Sequence, residues 1–109
     1  MQYDSLNNEE KIGELVRQTL RQLSNRRFTD KELTLMLSKQ WSKEILGIDY
    51  PLLRKYKDGE DISVQIRDEK YGHYWKEIFE FNGMKILATS QWYERHRESF
   101  TRWIKRLQD

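Results

Sequence analysis

Basic side chains are the residues whose type and spacing suggest chemistry. Arg54, Lys55 and Lys57 crowd into one short stretch just after Leu46-Gly47-Ile48. A tight turn containing glycine between two helices is what a helix-turn-helix unit needs, and Lys39–Leu46 and Tyr50–Lys57 are the helices it would join. Asp49-Tyr50-Pro51 reads as a cap followed by a proline in the first turn, so the sequence predicts a short helix over Tyr50–Tyr56. Leu46, Ile48, Leu53 and Tyr56 supply the apolar contacts, and Arg54, Lys55 and Lys57 project toward phosphates or base edges. Two residues fit this register badly. Lys43 stands where helices usually approach over a small residue, and Pro51 stands where a recognition helix exposes a reading side chain. A second register pairs Asp30–Leu37 with Lys39–Leu46 and offers Lys39, Gln40 and Lys43 instead. A hairpin tip at Asn82-Gly83-Met84-Lys85 would serve as a wing, with Lys85 its only cation for a phosphate. The plainer alternative is a helical corner and a core-covering hairpin, both with solvated lysines.

Other combinations suggest less. Asp68-Glu69-Lys70 has the acid-x-Lys form of a metal-dependent nuclease, in which carboxylates hold Mg²⁺ and lysine steadies the phosphate. It lies in an acidic loop, and in a chain with 35% charged residues such a tripeptide is expected by chance. Glu77 and Glu80 fall on opposite faces of one strand and make no carboxylate pair. His73 and His96 lack the spacing of a metal site. His96 lies on an apolar stripe, as a core histidine with a satisfied ring nitrogen would. Trp75, Trp92, Tyr93 and Trp103 could stack bases, but their spacing suits core packing. The sequence therefore predicts no enzyme, no cofactor and no metal.

The elements that position these residues follow from periodicity. Ile12, Leu15, Val16, Leu20 and Leu23 recur every three or four residues and predict a helix over about Asn8–Ser24, capped by Asn7 or Asn8. Thr29-Asp30-Lys31-Glu32 is a capping box that starts a second helix, with Leu33, Met36 and Leu37 facing inward. Periodicity leaves open whether this helix runs on through Trp41 and Ile45 or breaks near Ser38. Gly47 is a terminator. Ile62, Val64 and Ile66 alternate with polar residues and predict a half-buried strand. Asn82-Gly83 is the favoured type I′ turn dipeptide. A two-residue loop there sets Phe81 opposite Met84, Phe79 opposite Ile86, Glu77 opposite Ala88 and Trp75 opposite Ser90. That register gives one apolar face and pairs Glu80 with Lys85 and Ile78 with Leu87 on the other. A last helix over about Gln91–Leu107, capped by Thr89 or Ser90, carries Trp92, His96, Phe100, Trp103, Ile104 and Leu107 on one stripe.

Composition bounds the rest. The 109 residues fit one domain, expected over 1–109. Aromatics make up 13%, with four Trp, enough for a packed core despite 37% apolar and 35% charged content. The absence of Cys excludes disulfides and thiolate sites and suits a reducing cytoplasm. No apolar run reaches the roughly 18 residues of a membrane span, and Met1–Glu10 shows no signal-peptide core. The formal charge is +2, yet Asp58–Glu69 holds five acids against Arg67. An acidic loop thus interrupts a mildly basic body.

Leu46-Gly47-Ile48-Asp49-Tyr50-Pro51-Leu52-Leu53, Tyr74-Trp75 leading to Asn82-Gly83, and Ser90-Gln91-Trp92-Tyr93-Glu94 with Phe100 and Trp103 resemble uncharacterised bacterial modules attached to restriction-type nucleases and ATPases. The resemblance spans about residues 30–107 and implies a bacterial or phage accessory module that reads DNA. It carries no catalytic residue. The expectation is an α+β, winged-helix-like domain that binds double-stranded DNA through Arg54, Lys55 and Lys57, then Lys39, Gln40, Lys43 and Lys85. The runner-up is a non-catalytic protein-interaction module with aromatics around Tyr50, Tyr56 and Tyr93. A larger protein or partner subunit would be its ligand.

Overall fold

Helix α1 spans Ile12–Leu23, where its stripe of Ile12, Leu15, Val16, Leu20 and Leu23 is buried. The computed structural model describes residues 10–68 and 70–108, so the expected caps Asn7 and Asn8 lie outside the described residues. Among the described ones, Lys11 occupies the cap position and makes no side-chain cap. Instead the Ile12 N–H donates to Glu94 Oε1 at 3.1 Å. A carboxylate distant in sequence thus satisfies an open donor at the positive end of the helix dipole.

Helix α2, Asp30–Met36, begins with the expected capping box: Thr29 accepts from the Glu32 N–H, and Glu32 accepts from the Thr29 N–H. The open question at Ser38 resolves as a break. Ser38 Oγ accepts from the Trp41 N–H and caps a new helix, α3, Lys39–Trp41. This runs on into a widened π-turn over Ser42–Leu46, which Gly47 ends at φ 77°. Only a residue without Cβ enters that left-handed region cheaply.

The expected helix over Tyr50–Tyr56 does not form. Leu53–Lys55 is instead a strand, β1, antiparallel to the outer edge of β5, Met84–Ala88, with Leu53 opposite Ala88 and Lys55 opposite Ile86. Leu52 and Leu53 are both buried. The Leu52 N–H donates to Ser42 Oγ and its carbonyl accepts from the Thr89 N–H. A helix here would strip β5 of its partner and leave buried backbone groups unpaired, so tertiary pairing overrides the local cap-and-proline signal.

The expected strand at Ile62–Arg67 is also corrected. Ile62–Gln65 is a single helical turn, α4, capped by Asp61, whose side chain accepts from the Ser63 N–H. Val64 is 67% exposed, so the alternating apolar residues do not mark a buried sheet face. A small ladder follows, pairing β2, Arg67–Asp68, with β3, Tyr71–Gly72.

The hairpin forms as expected at its tip. Strand β4, Phe79–Phe81, pairs with β5 in the register Phe79–Ile86, Glu80–Lys85 and Phe81–Met84. Asn82 and Gly83 both take positive φ, 55° and 77°, as a type I′ turn demands. Below Phe79 the register slips by two residues, because Tyr74 bridges to Thr89 and the Trp75 N–H reaches the Ala88 carbonyl. Trp75 is therefore not opposite Ser90, nor Glu77 opposite Ala88. The extra residues bulge outward, and Glu77 meets Arg17 and Arg21 of α1 at 2.7 and 2.8 Å.

The sheet order is β1-β5-β4. The last helix starts later than expected. A 3₁₀ turn at Glu94–His96 leads into α5, Arg97–Gln108. Thr89 and Ser90 do not cap it. Thr89 instead donates to the His73 carbonyl and accepts from the Gln91 N–H. One apolar cluster joins α1, α2, the π-turn, β1, β4, β5 and α5, with Phe81, Phe100, Leu20 and Ile104 fully buried. The result is a small α+β fold.

Candidate nucleic-acid interface

Strand β1 and the turn after it carry the basic trio, not a helix. Alternation along the strand buries Leu53 and leaves Arg54 half-buried and Lys55 exposed. Lys57 follows on the turn and is exposed. Helix α4 packs alongside because the Gln65 carboxamide bonds both ways to Lys57: its Oε1 accepts from the Lys57 N–H at 2.8 Å, and its Nε2 donates to the Lys57 carbonyl at 2.9 Å. Between these segments runs a groove of about 410 Å³ lined by Arg54, Lys55, Lys57, Glu60, Val64, Gln65 and Arg67.

The cations of this groove are not equivalent. Arg54 is occupied: it donates to Asp68 Oδ1 at 2.7 Å and to the Gln65 carbonyl at 2.9 Å. Its guanidinium also lies 4.0 Å from the centre of the Tyr74 ring. Arg54 thus clamps α4 and β2 to the sheet. Lys55, Lys57 and Arg67 are exposed and make no ion pair among the described residues. They form the open positive rim, with Glu60 the only acid among the described residues lining the groove.

Behind Arg54 lies a hydrogen-bonded chain that sequence reasoning missed. Asp68 Oδ2 meets His73 Nδ1 at 3.0 Å, and His73 Nε2 meets the Tyr50 hydroxyl at 3.2 Å. The Tyr50 and His73 rings stack 4.2 Å apart. Desolvation pushes the Asp68 carboxyl up, but the bonds from His73 and Arg54 outweigh it and hold the group below the ordinary aspartate value. Burial pushes the Tyr74 hydroxyl up to about 12, against the pull of Arg54. Both oxygens of Asp68 are committed to Arg54 and His73, and Glu69 of the Asp68-Glu69-Lys70 motif lies outside the described residues.

The remaining candidates are scattered. Lys39 is exposed and makes no ion pair among the described residues, Gln40 donates to Glu44 at 3.1 Å, and Lys43 stands 3.7 Å from Asp49. These lie on α3 and the π-turn. Lys85 meets Asp58 at 3.3 Å. The hairpin tip beside it is tied down, since Asn82 accepts from the Phe28 N–H and donates to the Phe28 carbonyl. Tyr50 and Tyr56 are half-buried, while Tyr93 is 55% exposed. Trp92 and Trp103 are core residues, and Trp75 is half-buried under Arg17. His96 is buried as expected. Its Nδ1 accepts from the Tyr93 N–H at 3.0 Å, but Nε2 has no hydrogen-bond partner among the described residues, although the nearby Gly47 backbone favours its proton.

Arg67 and Gln65 are the groove residues the sequence reading passed over. Asp61 followed by Ser63 is the signal that could have found them. It is an N-cap pattern that competes with the alternating apolar residues and turns the segment into a helix beside β1. Compared with known proteins, the chain matches no family model, no curated protein and no solved structure.

Proposed function

We propose that the protein binds duplex DNA through the groove between β1 and α4. The observation that carries this reading is the convergence of Lys55, Lys57 and Arg67, none ion-paired among the described residues, on one groove. Unpaired exposed cations are what phosphate contacts need, because each releases condensed counterions when it binds. Within the α+β frame the reading is winged-helix-like, with three helical pieces preceding a hairpin sheet. The edge strand takes the place of a recognition helix, as strands do in β-ribbon readers. Arg54 acts here as a clamp, not as a reader of a guanine edge.

A second site for the same function rests on α2 and α3. A short turn at Leu37-Ser38 joins two capped helices, the alternative helix-turn-helix register, and presents Lys39, Gln40 and Lys43. Fluorescence anisotropy on labelled duplexes at several salt concentrations separates the two. For the groove, replacing Lys55, Lys57 and Arg67 by Ala weakens binding on all sequences and flattens the slope of log K against log salt by about two to three units, at 0.9 per contact. Loss only on Lys39→Ala with Lys43→Ala moves the site to the helical corner. No duplex binding by the wild type at low salt overturns the DNA reading.

A further inference from the structure

A second surface, built from other residues, lies between α2, the α3–π-turn segment and α5. Leu35, Met36, Trp41, Ile45, Trp103 and Leu107 line an apolar groove of about 220 Å³. Its floor is rigid. Met36 and Trp103 are buried, and Trp41 meets Trp103 edge-on with ring centres 5.6 Å apart. Its rim is open, with Leu35 37% exposed. The volume is below the roughly 300–1,000 Å³ of pockets that enclose cofactors and drug-sized ligands. It suits one or two anchoring side chains of a docked chain.

Charge decides which chain. Two charged residues line the groove among the described residues, Glu32 and Arg106. Glu32 is spent: Oε1 accepts from the Thr29 N–H at 2.8 Å and Oε2 stands 3.4 Å from Arg26. Arg106 is exposed and makes no ion pair among the described residues. Lys31, exposed and likewise unpaired, stands one turn before Leu35 on the same side of α2. An occupant therefore meets hydrocarbon in the middle and uncompensated positive charge at the edge. A second copy of this chain would bring Arg106 toward Arg106 or toward a Glu32 already satisfied, so self-association gains little there.

We propose that this groove docks an amphipathic helix of a partner protein, with apolar anchors on one face and carboxylates beside them that meet Arg106 and Lys31. Helix-in-groove recognition uses anchors at i, i+3, i+4 and i+7, and the interfacial charges set partner choice more than affinity.

The probe is a designed fluorescent peptide about four turns long, with Leu at those spacings and Glu at the flanking positions, titrated with the whole protein without nucleic acid. A matched peptide carries Lys in place of Glu. The acidic peptide is expected to bind at least about tenfold more tightly than the basic one, a difference of about 1.4 kcal/mol. Leu35→Asp, a change at an exposed position that thermal melting checks for folding, is expected to weaken it at least about tenfold. Arg106→Glu is expected to erase the preference between the peptides. Failure of the acidic peptide to bind, equal binding of both peptides, or indifference to Leu35→Asp overturns the proposal. So does a Leu35-dependent dimer in sedimentation, which would make a second copy the occupant. These outcomes are independent of the duplex-binding assay.

Discussion

Between α1 and α5 the protein is held by buried hydrocarbon, to which Leu52 and Leu53 of the β1 segment belong, whereas the rest of the stretch from Asp49 to His73 is held by polar side chains that reach across to backbone and to each other. In the first region Phe28 stacks on Phe81 with ring centres 5.1 Å apart, and Phe100 meets both Trp92 and Trp103. In the second, Gln65 holds Lys57, Arg54 holds Gln65 and Asp68, and His73 holds Asp68 and Tyr50. Apolar packing is non-directional and follows area, so a stripe in sequence suffices to specify it. A polar clasp depends on donor and acceptor geometry, and its partners here are five to twenty-three residues apart. The unpaired cations proposed to meet DNA lie along the clasped region, and the apolar groove belongs to the packed one.

The largest expected effect tests the packed side. Phe81→Ala removes a fully buried ring and should cost about 3–5 kcal/mol in urea denaturation. A loss below about 1 kcal/mol would mean that the stacked Phe28–Phe81 pair does not anchor the hairpin.

The clasp should yield less. Asp68→Ala removes the acceptor shared by Arg54 and His73, and charged hydrogen bonds of this kind contribute about 1.5–3 kcal/mol when shielded. The side chains of Arg54 and Asp68 are 30% and 39% exposed, so solvent screening brings the expectation to about 1–2 kcal/mol. The pH dependence has a definite sign. A carboxyl held below its unfolded value near 3.9 contributes stability above that pH and loses it as pH falls through the folded value. Asp68→Ala should therefore flatten the acid limb of stability below about pH 4. An unchanged limb would show that Asp68 is not held by its partners.

What could be read beforehand divides along the same line. The stripe of α1, the Phe100–Leu107 part of the last stripe, the Thr29–Glu32 capping box, the Gly47 stop and the Asn82-Gly83 turn are local patterns, and each forms, while Trp92 and His96 lie ahead of α5. The β1 strand was not legible, because Asp49-Tyr50-Pro51 favours a helix and only the bare edge of β5 decides otherwise. At Ile62–Ile66 a period-two pattern competed with a one-residue cap at Asp61, and four helical residues were enough for the cap to win. The bulge below Phe79 was hidden because its cause is Glu77 seeking Arg17 and Arg21, more than fifty residues away. Of the site, Lys55 and Lys57 were identifiable as types, but the commitment of Arg54 and the addition of Arg67 depend on the fold.

His96 sits where the packed region touches the segment that begins the clasp. Burial is the main reason its ring loses its proton more readily than usual, with Arg95 adding and Asp49 and the Gly47 backbone opposing. A base whose folded value is lowered binds protons better when unfolded, so stability falls as pH drops below about 6.5. His96→Leu keeps the volume and removes the unpartnered Nε2, but it also removes the acceptor of the Tyr93 N–H. These effects oppose, so the net change near pH 8 should stay within about 1 kcal/mol. As pH falls below about 6.5 the variant should gain on the wild type. A wild-type stability flat over that range would show that His96 is not held neutral. A metal-dependent melting shift in the wild type that the variant lacks would make His96 a ligand.

The smallest expected effect is Lys85→Ala. Lys85 lies across from Glu80 in the hairpin register and 3.3 Å from Asp58, so it is bonded on paper. Its side chain is 50% exposed and that of Asp58 80%. Both ions keep most of their water, and salt screens what remains of the attraction, so the loss should be no more than about 0.5 kcal/mol. The backbone carbonyl of Lys85 accepts from the Tyr56 N–H at 3.0 Å, and alanine preserves that bond. The measurement is urea denaturation of Lys85→Ala beside Phe81→Ala, at low and at moderate salt. A loss above about 1 kcal/mol that persists in salt would mean that the Lys85–Asp58 contact fastens the turn after β1 to the hairpin. The clasp would then extend to the hairpin tip, and the boundary between the two regions would lie in the wrong place.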